Sequence, residues 1–237
     1  MITQNTYNSS LWFRKIIVTS IIVLSIINNL SSQISFNCGI EGLATKSQYS
    51  FIHIPIKEIE SPIQYGFGIR FGAEFAEKYY MKTGLLRTNL GFNIVYDWYI
   101  PGQPNITDPA IPIKSFFNYS YLTIPLSVGY KFHLLKHLYI IPQVGAQYLI
   151  STDISEYSIF GDGSRKPVAL DTDGIGNNHF QISVLISFEI ILNDRWFVNI
   201  EPFVDRSLLK QGSPYFETTY YSFGGSVGIS RRFSIYK

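Results

Sequence analysis

Nine charged residues recur on the polar side of alternating segments: Arg70, Arg87, Lys131 and Arg232 against Glu74, Asp97, Glu189, Glu201 and Asp205. They share that side mainly with Gly and Ser. Charges of both signs in a narrow interior neutralise one another, because an unpaired buried charge costs several kcal/mol. The nine therefore read as a lumen charge network that rigidifies a barrel. On this reading Arg87→Ala destabilises the fold more than it alters any binding.

Other residue types that could do chemistry are poorly placed for it. A hydrolase acting on lipid needs a nucleophile, a base and an orienting group close together. His179 opens a strand at the outer rim with Ser151, Asp153 and Ser183 in range, but no motif ties them together, and a solvated rim histidine is the expectation. His133 and His137 bracket a turn and His53 lies in a loop. Asp171-Thr172-Asp173-Gly174 is half of a calcium-loop pattern that lacks the carboxylate at the twelfth position, so an ordinary polar loop is expected there. The single cysteine, Cys38, excludes an internal disulfide framework and a cysteine-rich metal site. No catalytic residue, cofactor or metal is expected.

The elements that must position the charges follow from pattern. Aromatic residues make up 16% of the 237-residue chain, and charged residues only 15%, against roughly a quarter in ordinary soluble domains. Arg14 and Lys15 precede a short apolar run, 16–27, too brief for a spanning helix of about 20 residues. Residues 1–32 are expected to be a signal peptide and 33–237 one barrel domain. Without Arg14 and Lys15 the 19 basic residues fall to 17, matching the 17 acidic ones. That balance argues against nucleic acid as a partner.

The clearest strand signal spans 118–152. Leu122, Ile124, Leu126, Val128 and Tyr130 alternate with Thr123, Ser127, Gly129 and Lys131; after a turn at 134–137, Ile140, Val144, Ala146 and Tyr148 oppose Gln143, Gly145 and Gln147. This is the period-2 alternation of a hairpin with one apolar and one polar side. Further strands are expected at 34–45, 64–76, 81–99, 178–192, 195–209 and 218–233. In the third, Leu86, Leu90, Phe92 and Ile94 are expected on the apolar side and Arg87 and Asp97 on the polar one. The stretches 47–63, 101–117, 154–177 and 210–217 are expected loops. Eight strands with alternating long and short connections predict an all-β, antiparallel, up-and-down transmembrane barrel, its short turns and both termini periplasmic.

A soluble lipocalin-like barrel would show the same period with its apolar face inward. Gly and Ser crowding the polar face, and aromatics near strand ends such as Tyr130, Tyr148, Trp196 and Phe233, favour lipid outside. TIPLSVGYKF at 123–132 and SFGGSVGISRRF at 222–233 resemble the PorT-like outer-membrane β-barrel family of Bacteroidota. The resemblance covers most of the chain after the leader and rests on strand patterns. It implies an eight-stranded outer-membrane barrel without a defined activity for most members, one member type serving protein secretion. The chain departs from the usual terminal aromatic by continuing through Ser234 to Lys237. The expected function is non-enzymatic, exerted by extracellular loops. Expected partners are outer-membrane lipid, the barrel-assembly machinery during biogenesis, and a protein or surface ligand at the loops; a lipid-modifying enzyme is the alternative.

Overall fold

A computed structural model describes residues 34–51, 56–96, 112–167, 178–208 and 218–235. The expected signal peptide, His53, Asp97 and the Asp171–Gly174 stretch lie outside these residues. Eight long strands dominate: β1 Ile34–Phe51, β2 Gln64–Phe75, β3 Tyr79–Tyr96, β4 Pro112–Tyr130, β5 Leu138–Phe160, β6 His179–Ile191, β7 Trp196–Ser207 and β8 Thr218–Ile235. Each pairs antiparallel with its sequence neighbours, and β1 also pairs with β8, so the sheet closes on itself. Closure matters because in hydrocarbon every backbone N–H and C=O must find a partner within the protein. The architecture is an eight-stranded, antiparallel, up-and-down transmembrane barrel.

The ring is staggered. Leu122 pairs directly with Arg87; followed the other way, through Phe67, Gly42, Val227, Ile200, Phe188 and Ile140, the register returns at Phe132, ten positions along. Such a stagger goes with strands tilted by roughly 35–45°. Tight connections close one end, at Ala76–Lys78 and Lys136–His137, where Ile34 also pairs with Phe75 and Ile235. This is the turn end; the opposite one is the loop end.

Several strands outrun their expected bounds at the loop end. β1 continues to Phe51, β4 already starts at Pro112, and β5 continues to Phe160, where a short segment, Arg165–Pro167, folds back on it. Another segment, Ile56–Glu60, pairs with β3 inside what reads as a loop. The strand in 154–160 is hidden in the sequence by a bulge. Ser120 pairs with Asp153 and Tyr121 with Ser151, so Thr152 is an extra residue that switches the alternation to the other face.

The outside is apolar. Ile40, Phe67 and Val184 are 65%, 66% and 56% exposed, and Leu126, Val128, Val144, Val204 and Val227 share their face. A continuous exposed apolar belt of this kind marks contact with lipid. Aromatics border it on both sides. Tyr130 packs on Tyr79 at 5.6 Å and on Phe132 at 4.8 Å near the turn end, and Tyr148 on Phe180 at 4.6 Å toward the loop end. Cys38 is exposed on the outer face.

Candidate functional site

Because β-strand side chains alternate, each strand sends every second residue into the barrel, and the lumen is built in layers. Nearest the turn end, Lys131 donates to Glu74 at 2.9 Å and to Glu189 at 2.8 Å, while Arg232 donates to Glu189 at 2.5 Å. The Lys131 ammonium also sits 4.3 Å from the Tyr139 ring centre. Next come short polar groups: Ser127 donates to Gln143 at 2.7 Å, with Ser187 and Asn199 facing them.

Farther in lies a second ion cluster. Arg70 grips Glu201 with both terminal nitrogens, at 2.9 and 2.5 Å, and also contacts Glu41. Lys82 donates to the same Glu201 at 2.5 Å. All four side chains are less than a tenth exposed. A bidentate, desolvated arginine–carboxylate pair is directional and geometrically demanding, which suits a bracing role. Above it a cavity of about 70 Å³ is lined by Glu41, Lys82, Gln147 and Asp205 together with Leu86 and Leu149. Asp205 accepts from Gln147 at 2.9 Å. By volume and lining the cavity suits a few waters, not an organic ligand.

The loop end of the lumen is closed by an aromatic cork. Tyr49, Leu90, Phe92, Ile94, Phe117, Tyr119, Tyr121, Leu149 and Tyr220 form one buried cluster. Phe92 stacks on Phe117 at 4.7 Å and lies 4.2 Å from Tyr49. His179 belongs to this layer. It is buried, hydrogen-bonded to the Tyr220 hydroxyl, and T-shaped against Tyr121 at 5.3 Å. It is thus not a solvated rim histidine. Ser183 points to the polar layer below, where Gln147 donates to it at 2.7 Å, and Asp153 is exposed. No nucleophile, base and acid are assembled from these four residues.

Seven of the nine sequence-predicted charges therefore face the lumen: Arg70, Glu74, Lys131, Glu189, Glu201, Asp205 and Arg232. Arg87 does not. Along β3 the buried side chains are Tyr80, Lys82, Leu86, Thr88, Leu90, Phe92 and Ile94, and Arg87 is exposed on the outside. The cause is the cork: in the upper lumen the inside is apolar too, so the side bearing Leu86 and Phe92 is not the lipid side. The same inversion hid Lys82, which shares the inward side with Leu86. The signal that finds it is lower on the strand, where Tyr79, Met81 and Leu85 occupy the odd positions and Lys82 an even one.

At the loop-end rim, Lys114 donates to Glu60 at 2.6 Å and Asn93 donates to it at 3.1 Å, tying the Ile56–Glu60 segment to β3 and β4. These bonds, Lys114 first, hold the half-exposed Glu60 carboxyl below its ordinary value. A depressed folded-state value means that the clamp is present above the usual carboxylate range and is lost as the pH falls through the folded one. In a carboxyl ¹³C titration, Glu60 is expected to titrate below a free glutamate. Lys114→Met is expected to move the midpoint up toward that of a free glutamate, and an unshifted native midpoint would refute the clamp.

A closed antiparallel ring with an apolar exterior and a salt-bridged interior defines the class of transmembrane β-barrels. Among solved structures the chain is similar to the outer membrane protein OprG of Pseudomonas aeruginosa, with 11% identity over 85% of this chain and 96% of that one and a TM-score of 0.52. Neisserial surface protein A aligns at 12% identity over 84% and 97% of the two chains, TM-score 0.46, and the outer membrane protease OmpT of Escherichia coli at 10% over 85% and 97%, TM-score 0.47. The likeness to OprG is one of fold: an outer-membrane β-barrel. No protein family and no curated protein matches the chain by sequence.

Proposed function

We propose that the chain is a closed, non-enzymatic resident of the outer membrane that works by presenting its loop end to a protein or surface ligand, in the manner of the PorT-like barrels that its strand patterns resemble. The observation that carries this is the filled lumen: ion clusters brace its lower part, an aromatic cork closes its upper part, and only a small chamber of mixed lining is left between. A lumen so filled offers no path to solutes. Strands of 18 to 23 residues exceed the nine to eleven or so needed to cross a bilayer, so β1, β3, β4 and β5 carry a rigid rim past the belt. The loops face outward, the turns and both termini the periplasm, and the chain reaches the membrane through the barrel-assembly machinery. The enclosure of His179 by tyrosines weighs against lipid hydrolysis.

Two measurements test this. The purified chain is expected to shift in gel mobility on boiling and to give no steady conductance in planar bilayers; persistent channels would overturn the closed-barrel reading. A photo-crosslinking residue at Gly163, in the hairpin beyond β5, is expected to capture a surface partner in whole cells that the same residue at Lys136 does not. Equal capture from both ends would overturn the loop-end reading.

A further inference from the structure

Arg87 is an exposed cation set at the outer edge of the apolar belt, as is Arg206 on β7, which lies over the Tyr221 ring. The Arg87 side chain has no ion pair or hydrogen-bond partner among the described residues. Cross-strand pairing sets it between Phe67 and Leu122, and Phe67 in turn pairs with Gly42. Gly42 faces outward, with nothing within 4 Å of where a Cβ would lie. The missing side chain leaves a shallow notch in the belt, floored at Gly42, walled by Ile40, Phe67, Ile69 and Leu85, and bounded by Arg87. Beyond Arg87 the outer face of the same strands turns polar. Asn89 donates to the Tyr65 carbonyl at 3.4 Å and accepts from Ser120 at 2.9 Å, and Asn118 follows, exposed.

An acyl-sized apolar notch, one unpaired guanidinium at the hydrocarbon edge, and a polar face continuing outward match one kind of molecule. A guanidinium facing lipid without an anion is unfavourable, and phosphate is the anion whose geometry it fits. The polar face rises past the first headgroup layer, so the headgroup it suits is thick and hydroxyl-rich, more than a glycerol phosphate supplies. We propose that this face binds a phosphorylated glycolipid of the outer leaflet, one acyl chain in the Gly42 notch, its phosphate on Arg87 and its sugar against Tyr65, Asn89 and Ser120. The site rests on the membrane-barrel reading and its outward-facing loop end.

Native mass spectrometry of the full mature chain, released from detergent with diphosphoryl lipid A, its dephosphorylated form or phosphatidylglycerol, tests the site. Lipid A is expected to be retained in preference to the other two. Arg87→Gln is expected to lower retention about tenfold, the scale of one lost charge-assisted hydrogen bond. Gly42→Leu, which fills the notch, is expected to lower it as well, while Arg231→Gln, exposed at the turn end, leaves it unchanged. Each variant is first shown to keep the heat-dependent gel shift. If the unmodified chain lacks that shift, the membrane reading fails and the site with it. If the barrel folds but Arg87→Gln binds as the native chain does, or Arg231→Gln loses as much, the site alone is overturned. Equal retention of phosphatidylglycerol overturns the glycolipid assignment.

Discussion

Replacing Glu201 with alanine is expected to lower the stability of the barrel by about 3–5 kcal/mol, the range for breaking a buried ion pair by removing one partner. The effect belongs to the high end because Glu201 serves two cations. Arg70 spends both terminal nitrogens on it and Lys82 adds a third bond at 2.5 Å. Without it, Lys82 has no carboxylate within bonding distance among the described residues, and Arg70 keeps only Glu41. Urea unfolding in detergent micelles, followed by tryptophan fluorescence, reads the loss. A fourfold change to apolar residues of similar size, Glu41→Leu, Arg70→Met, Lys82→Met and Glu201→Leu, removes all four charges together and is expected to recover most of it. Should Glu201→Ala unfold at the native urea midpoint, the cluster is not bracing the barrel.

The second large effect is expected at Phe92, which has no exposed surface and lies at the centre of the cork. Truncation of a buried phenylalanine to alanine costs about 3–5 kcal/mol, with the cavity adding to the lost transfer energy. Here the loss has a second readout. Phe92 stacks on Phe117 and touches Tyr49, rings that come from β4 and β1 on opposite sides of β3 in the sequence. Its removal is expected to loosen the lid over the chamber and let water into it, seen as faster amide exchange in β7 near Asp205. Phe92→Leu, which keeps most of the volume, is expected to retain both stability and protection. Equal exchange in Phe92→Ala and the native chain would show that the cork does not seal the chamber.

How far the sequence discloses the barrel depends on what stands on the other side of the sheet wall. In β2, β6, β7 and the lower halves of β3 and β4 the lumen is polar and the outside apolar, so alternation names the faces and Arg70, Lys131, Glu189 and Glu201 are legible as interior. Around the cork the interior is apolar, while the outer face of β3 and β4 turns polar with Arg87, Asn89, Ser120 and Asn118. There the period survives but its sign is inverted: Leu86 and Phe92 face in and Arg87 faces out, and carrying the wrong sign down the strand hides Lys82. The bulge at Thr152 removes even the period, since it switches the face in mid-strand and makes 154–160 look like a loop. Pro112 disguises the start of β4 in the same way, as a residue that cannot donate to a ladder. The partners of each charge were beyond reach, because ring stagger and not sequence distance decides which side chains meet.

The ion cluster also bears on assembly. Its members come from β1, β2, β3 and β7, and Arg70 and Glu201 are 131 residues apart. The β1–β2 hairpin can bring Arg70 to Glu41, but Glu201 reaches Arg70 and Lys82 only when β1 joins β8 and the sheet becomes a ring. Until then, a half-made sheet would carry bare arginine, lysine and glutamate side chains on the face not yet enclosed. Zipping the last seam and neutralising the interior are therefore the same event, which makes an open, partly inserted intermediate costly and the final step all-or-none. The charges act as a proofreading lock: a strand out of register by one residue would turn its member of the set toward the acyl chains, and the ring would not hold.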